Sequence, residues 1–76
     1  MKVFVEVIAE HGIDGRTKPL AIRWEDGRVF EIERILDVRQ AASLKAGGCG
    51  IRYTCRIRGK ETYLFDEEGK WFVDAR

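Results

Sequence analysis

Gly50-Ile-Arg-Tyr-Thr-Cys-Arg-Ile-Arg-Gly-Lys-Glu-Thr-Tyr-Leu-Phe-Asp-Glu-Glu-Gly-Lys-Trp71 alternates apolar residues with arginines in its first half and aromatic with polar residues in its second. A period of two is the mark of strands with two unlike faces, so the stretch reads as a hairpin with a basic outer face. Three-residue loops at Gly59-Lys60-Glu61 and Glu67-Glu68-Gly69 would put Ile51, Tyr53, Cys55, Ile57, Tyr63, Phe65, Trp71 and Val73 on one face. Arg52, Thr54, Arg56 and Arg58 would then share the opposite face with Thr62, Leu64 and Phe72. This parity predicts a three-stranded unit with the arginines outward.

The chain before it carries the same kind of pattern. Lys2 to Glu10 predicts a first strand, with Val3, Val5 and Val7 on one face and Phe4, Glu6 and Ile8 on the other. His11 to Pro19, with two glycines and the only proline, marks a loop before the next strand begins at Leu20. A three-residue loop at Glu25-Asp26-Gly27, with Gly27 in the left-handed conformation, gathers Leu20, Ile22 and Trp24 onto a face with Phe30 and Ile32. A two-residue turn would mix the faces, so burial selects the longer loop. Ile35, Leu36 and Val38 cannot all point the way Ile32 does, which predicts a bulge or bend near Arg34. Arg39 to Ala46 reads as a single helical turn, and Gly47-Gly48-Cys49-Gly50 as a connection into the decisive hairpin.

Turn signals at short intervals between five or six antiparallel strands predict an all-β meander curled into a small open, SH3-like barrel. The 76 residues supply one core and one domain, residues 1–76. No apolar run approaches the roughly 18 to 20 residues of a membrane-spanning helix, and the first residues lack the apolar core of a signal peptide. Two cysteines do not make a disulfide scaffold. A cytoplasmic protein with reduced thiols and no membrane role is expected.

Chemistry-bearing residues are few. Cys49, Cys55 and His11 are the only soft ligands, and a Cys-x5-Cys spacing with a distant histidine falls short of a structural zinc site. No metal or cofactor is expected. A Cys49/His11 nucleophile pair has nothing in the sequence to select it, and Glu25/Asp26 and Glu67/Glu68 sit inside turns, where carboxylates serve local hydrogen bonding. The glycine run leads into a strand rather than a helix and lacks the Lys-Ser/Thr of a phosphate-cradling loop. No enzyme activity is expected.

Charge placement is more informative than net charge. The formal balance is +1, yet from Arg39 through Lys60 there are six basic residues and no acidic one. Arg52, Arg56 and Arg58, with Arg39, Lys45 and Lys60 nearby and Phe72 interleaved, compose a candidate nucleic-acid-binding surface, because guanidinium forks match phosphate oxygens and stack on bases. The competing account pairs these arginines with Glu31, Glu33, Asp37 and Asp74 on a solvated face. A third account makes the same sheet, or the edge Val3 to Ile8, a surface for another protein or a second copy of this chain.

From Lys18 to Val73 the runs Lys-Pro-Leu-Ala-Ile-Arg-Trp-Glu-Asp-Gly-Arg-Val-Phe-Glu-Ile-Glu-Arg-Ile-Leu-Asp and Ile-Arg-Tyr-Thr-Cys-Arg-Ile-Arg-Gly-Lys-Glu-Thr-Tyr-Leu-Phe-Asp, with a closing Lys-Trp-Phe-Val, resemble a family of short uncharacterised bacterial all-β proteins. The pattern is similar, more loosely, to the small domain of unknown function found alone or with Y-family lesion-bypass polymerases. It departs from that domain at Ala41 to Leu44 and at Gly47 to Gly50. The resemblance implies a fold and a nucleic-acid maintenance setting, and it carries no catalytic residues.

Overall fold

A computed structural model describes residues 2–40 and 50–74. Among these residues, eight antiparallel strands form two sheets, one of five in the order β1-β8-β7-β6-β5 and one of three in the order β2-β3-β4. The strands are β1 (Lys2–Phe4), β2 (Glu6–His11), β3 (Thr17–Arg23), β4 (Val29–Glu31), β5 (Arg34–Gln40), β6 (Ile51–Ile57), β7 (Lys60–Glu67) and β8 (Lys70–Asp74). Six passes of the chain give eight strands because two passes change sheets. The first changes at Val5, whose N–H donates to the Trp71 carbonyl at 3.0 Å. The second changes at Ile32 and Glu33, whose N–H groups donate to Leu20 and to Arg56, one in each sheet. These two corners fold the all-β chain over a single core, and no helix among the described residues is long and apolar enough to cross a membrane.

The core lies between the sheets. Ile22, Tyr53, Cys55, Ile57, Leu64 and Val73 form its buried centre, with Val3, Val5, Val7, Trp24, Phe30, Ile32, Ile35 and Trp71 packed around it. Burial of side chains this size is worth about 1.5–3 kcal/mol each and sets the register of every strand. The Tyr53 hydroxyl donates to the Thr17 carbonyl at 3.2 Å and ties β6 to the start of β3.

The β3–β4 hairpin follows its predicted register. Ile22 stands opposite Phe30, Trp24 closes the loop against Arg28 by a 2.7 Å bond from its N–H, and Gly27 takes a φ of 91°. One member leaves the face: Leu20 is 37% exposed. The β2–β3 pairing shifts there, from Ile8 opposite Ala21 to Ala9 opposite Pro19, so Leu20 is the extra residue of a bulge and points outward. A second irregularity, between Ile35 and Asp37, likewise expels Leu36 from the β5–β6 ladder. The re-aiming expected near Arg34 therefore takes two steps, a corner before it and a bulge after it.

The β6–β7 and β7–β8 hairpins differ from expectation. Both have two-residue turns, Arg58-Gly59 and Glu68-Gly69, with positive φ at all four positions. That is the type I′ geometry, whose twist matches the flanking strands. Ile57 then pairs with Lys60 and Tyr53 with Leu64, while Phe65 pairs with Phe72 and Leu64 with Val73. Shortening each loop by one residue exchanges the faces of β7: Leu64 is fully buried in the core, and Tyr63 and Phe65 stand on the opposite side. The predicted helical turn over Arg39 to Ala46 is β-strand as far as Gln40 and otherwise lies outside the described residues.

Candidate nucleic-acid interface

The outer face of the five-stranded sheet follows from these registers. One row crosses all five strands: Arg39 on β5, Arg52 on β6, Phe65 on β7, Phe72 on β8 and Phe4 on β1. Beside it runs Asp37–Thr54–Tyr63, and beyond that Arg34–Arg56–Glu61. The arginines thus gather on β5 and β6, and the aromatic rings on β7, β8 and β1.

The aromatic half is a second, smaller cluster. Phe65 and Phe72 stack with ring centres 4.9 Å apart and planes 9° from parallel, and Phe4 meets Phe72 edge-on at 5.8 Å. Lys2 lies over the Phe72 ring at 4.5 Å while its ammonium reaches Glu67 at 3.6 Å. Phe72 is therefore only 2% exposed, whereas Tyr63 and Phe4 remain 47% and 59% exposed. Phe72 supports the surface, and Tyr63 and Phe4 are the rings that offer area to a partner.

The arginine half lacks such compensation. Arg34 stands directly opposite Arg56, and Arg39 opposite Arg52, an arrangement of like charges that weakens a sheet. Arg39 is held by Asp37 at 2.7 Å. Arg52 lies over the Tyr63 ring at 4.6 Å, and its Nε is buried with no hydrogen-bond partner among the described residues. No described carboxylate comes within ion-pair distance of Arg34, Arg52 or Arg56. Glu61 faces Arg56 across the β6–β7 ladder without reaching ion-pair distance, and the other carboxylates that could have neutralised them are occupied or elsewhere. Glu33 accepts from the Gly59 N–H at 2.8 Å, Glu31 pairs opposite Ala21 in the other sheet, and Asp74 lies across from Lys2.

Arg39, Arg52 and Arg56 of the sequence-derived set thus share one face, joined by Arg34, Tyr63 and Phe4. Arg34 was legible only through the β5–β6 register, since it precedes the acid-free stretch. Arg58 and Lys60 lie apart, at the β6–β7 turn, where the Arg58 guanidinium carbon sits 5.7 Å from the Phe30 ring centre. Lys45 lies outside the described residues.

The other candidate chemistry separates in space. Cys55 is fully buried, and burial pushes its thiol up to about 11, the opposite of what a nucleophile needs. His11 is exposed at the end of β2, where its Nδ1 lies 3.2 Å from the Thr17 hydroxyl, and Cys49 lies outside the described residues. Asp26 is held below the usual carboxylate range, first by the Arg28 N–H it accepts from, then by the Arg28 side chain. It is a loop brace.

Fold and surface together define a small all-β domain with an arginine-and-aromatic sheet face. Comparison with protein families, with curated proteins and with solved structures finds no match.

Proposed function

We propose that the protein is a cytoplasmic binding module that holds the phosphate backbone of DNA or RNA on the outer face of β5 and β6, without reading sequence and without catalysis. The observation that carries this reading is the pair of arginine–arginine positions, Arg34/Arg56 and Arg39/Arg52, against two counter-charges on that face: Asp37, paired with Arg39, and Glu61, opposite Arg56 without an ion pair. A phosphate bridging two facing arginines would convert their repulsion into charge-assisted hydrogen bonds. The two pairs are four positions apart along β6, about 13 Å at roughly 3.3 Å per residue, the axial span of roughly four stacked nucleotides. Tyr63 and Phe4 add exposed rings on which unpaired bases could stack. A nucleic-acid maintenance setting is also what the resemblance to the polymerase-associated domain implies.

Salt dependence tests it. Engaging about three or four phosphates gives a slope of log K against log salt of roughly −2 to −3 for a single strand. Absence of binding to single-stranded and duplex oligonucleotides at low salt, or binding indifferent to salt, would end the proposal.

A second reading rests on the edges of the sheets. The chain from Lys2 to His11 is terminal in both, as β1 in one and β2 in the other, and it bears the exposed Phe4 and Ile8. An open edge with apolar side chains suits pairing with another protein or a second copy of this chain. A monomer mass at high concentration removes self-association.

A further inference from the structure

At the end of the molecule away from the Tyr53–Thr17 bond, the two sheets part to leave a cleft of about 890 Å³. Its floor is apolar, from Ile22, Ile57 and Val73, and its walls are Trp24 and Phe30. Three cations stand around it: Arg28, Arg58 and Lys60. Arg28 and Arg58 both reach the Phe30 ring, with guanidinium carbons 5.3 and 5.7 Å from its centre. Arg28 is neutralised by Asp26 at 2.6 Å, whereas no described carboxylate pairs with Arg58 or Lys60. Asp74, the one carboxylate lining the cleft, is already engaged.

Arg58 is also an unusual residue for its backbone. It occupies the first position of a type I′ turn at φ 52°, where Asn, Asp or Gly is at ease and a long side chain is strained. The turn is pinned in place by the Gly59–Glu33 bond, so the strained residue aims its guanidinium over the ring that walls the cleft. Glu68 shares the backbone conformation but does not line this cleft.

We propose that this cleft is a binding site, distinct from the sheet face, for a planar ring carrying a phosphate, the class of a nucleoside monophosphate. The volume lies in the range of small-molecule sites, which are mostly apolar with a few convergent polar groups. A flat ring suits walls built of an indole, a phenyl ring and guanidinium planes, and a phosphate suits the two unpaired cations at the rim. Neither half suffices alone: inorganic phosphate leaves the apolar floor uncovered, and a neutral nucleoside leaves Arg58 and Lys60 unanswered.

The test is a titration of the full chain, isotope-labelled for NMR, with adenosine monophosphate, adenosine and inorganic phosphate separately. Adenosine monophosphate shifts the Trp24 indole N–H and the Arg58 and Lys60 amides, and each half-ligand binds at least about tenfold more weakly. Arg58→Asn removes the guanidinium while supplying a residue that favours the turn, so the fold stays intact and affinity falls by about tenfold or more. Arg34→Glu, on the sheet face, leaves these shifts unchanged and serves to separate the two sites. The proposal is overturned if the nucleotide shifts nothing in the cleft, if its shifts fall on the sheet face instead, if phosphate or adenosine alone binds as well, or if Arg58→Asn binds as tightly as the parent. Nucleic-acid binding on β5 and β6 stands or falls independently of these outcomes.

Discussion

The row that crosses the five-stranded sheet has two unlike halves. Phe65 and Phe72 stack on β7 and β8, with the exposed Phe4 of β1 edge-on to Phe72, and these contacts stabilise the strands that carry them. Arg39 and Arg52, with Arg34 and Arg56 alongside, put like charges face to face on β5 and β6. Packing explains Phe65 and Phe72 in the first half, because stacked rings gain about 0.5–1.5 kcal/mol beyond the area they bury. It explains none of the second, where cross-strand repulsion subtracts stability. A feature that opposes the fold is where a function is best sought.

The largest expected effect tests the aromatic half. Phe72→Ala removes the ring at the centre of the outer cluster and leaves Phe65 and Lys2 without their partner, which should cost about 3–5 kcal/mol of unfolding free energy in urea. A loss below about 1 kcal/mol would mean that the outer rings are surface decoration, and the contrast between the halves would collapse.

Next comes the arginine half, where stability and binding should move in opposite directions. Arg34→Glu replaces a like-charge pair with an ion pair, a carboxylate facing Arg56 across the ladder, a change worth about 0.2–1 kcal/mol in favour of the fold. The same change removes one phosphate contact and adds a repulsive one, so oligonucleotide affinity at low salt should fall by about tenfold or more. Loss of binding together with a gain in the urea midpoint is the combination that a solvated, functionless face does not produce. Unchanged affinity would return these arginines to that face.

Legibility in the sequence followed the same division. Around Glu25-Asp26-Gly27 only one loop length buried Ile22 and Phe30 together, so burial chose the register and the structure keeps it. Around Arg58-Gly59 two lengths served equally, because Thr62-Tyr63-Leu64-Phe65 is apolar on both faces and either parity makes a credible core. The deciding fact was a backbone one, Arg58 and Glu68 in the left-handed region, and neither residue type announces that conformation. Leu20 left its face for a related reason, since a bulge changes parity without a composition signal. The arginine face was visible as the acid-free stretch from Arg39 to Lys60. Its membership was not: Arg34 joins and Arg58 leaves through register alone.

The smallest effect concerns the layer behind the row, where burial works on titratable groups. Cys55 on the inner side of β6 has its thiol raised from 9.0 to about 11 by burial, and Tyr53 beside it is raised first by burial and then by the charges of Asp66 and Cys55. In the unfolded chain the thiol ionises near its ordinary value, so between about pH 9 and 11 the unfolded state holds fewer protons than the folded one. The slope of stability with pH is then negative: the contribution is complete below pH 9 and is lost as pH rises toward 11. Tyr53 extends the decline in the same direction above its ordinary value of 10.0. Urea midpoints taken from about pH 7 to 11 should stay level to about 9 and then fall, and Cys55→Ala should delay the fall until tyrosine ionisation begins. An identical decline in Cys55→Ala would take the Cys55 thiol out of the pH dependence and leave the fall to other groups, Tyr53 among them.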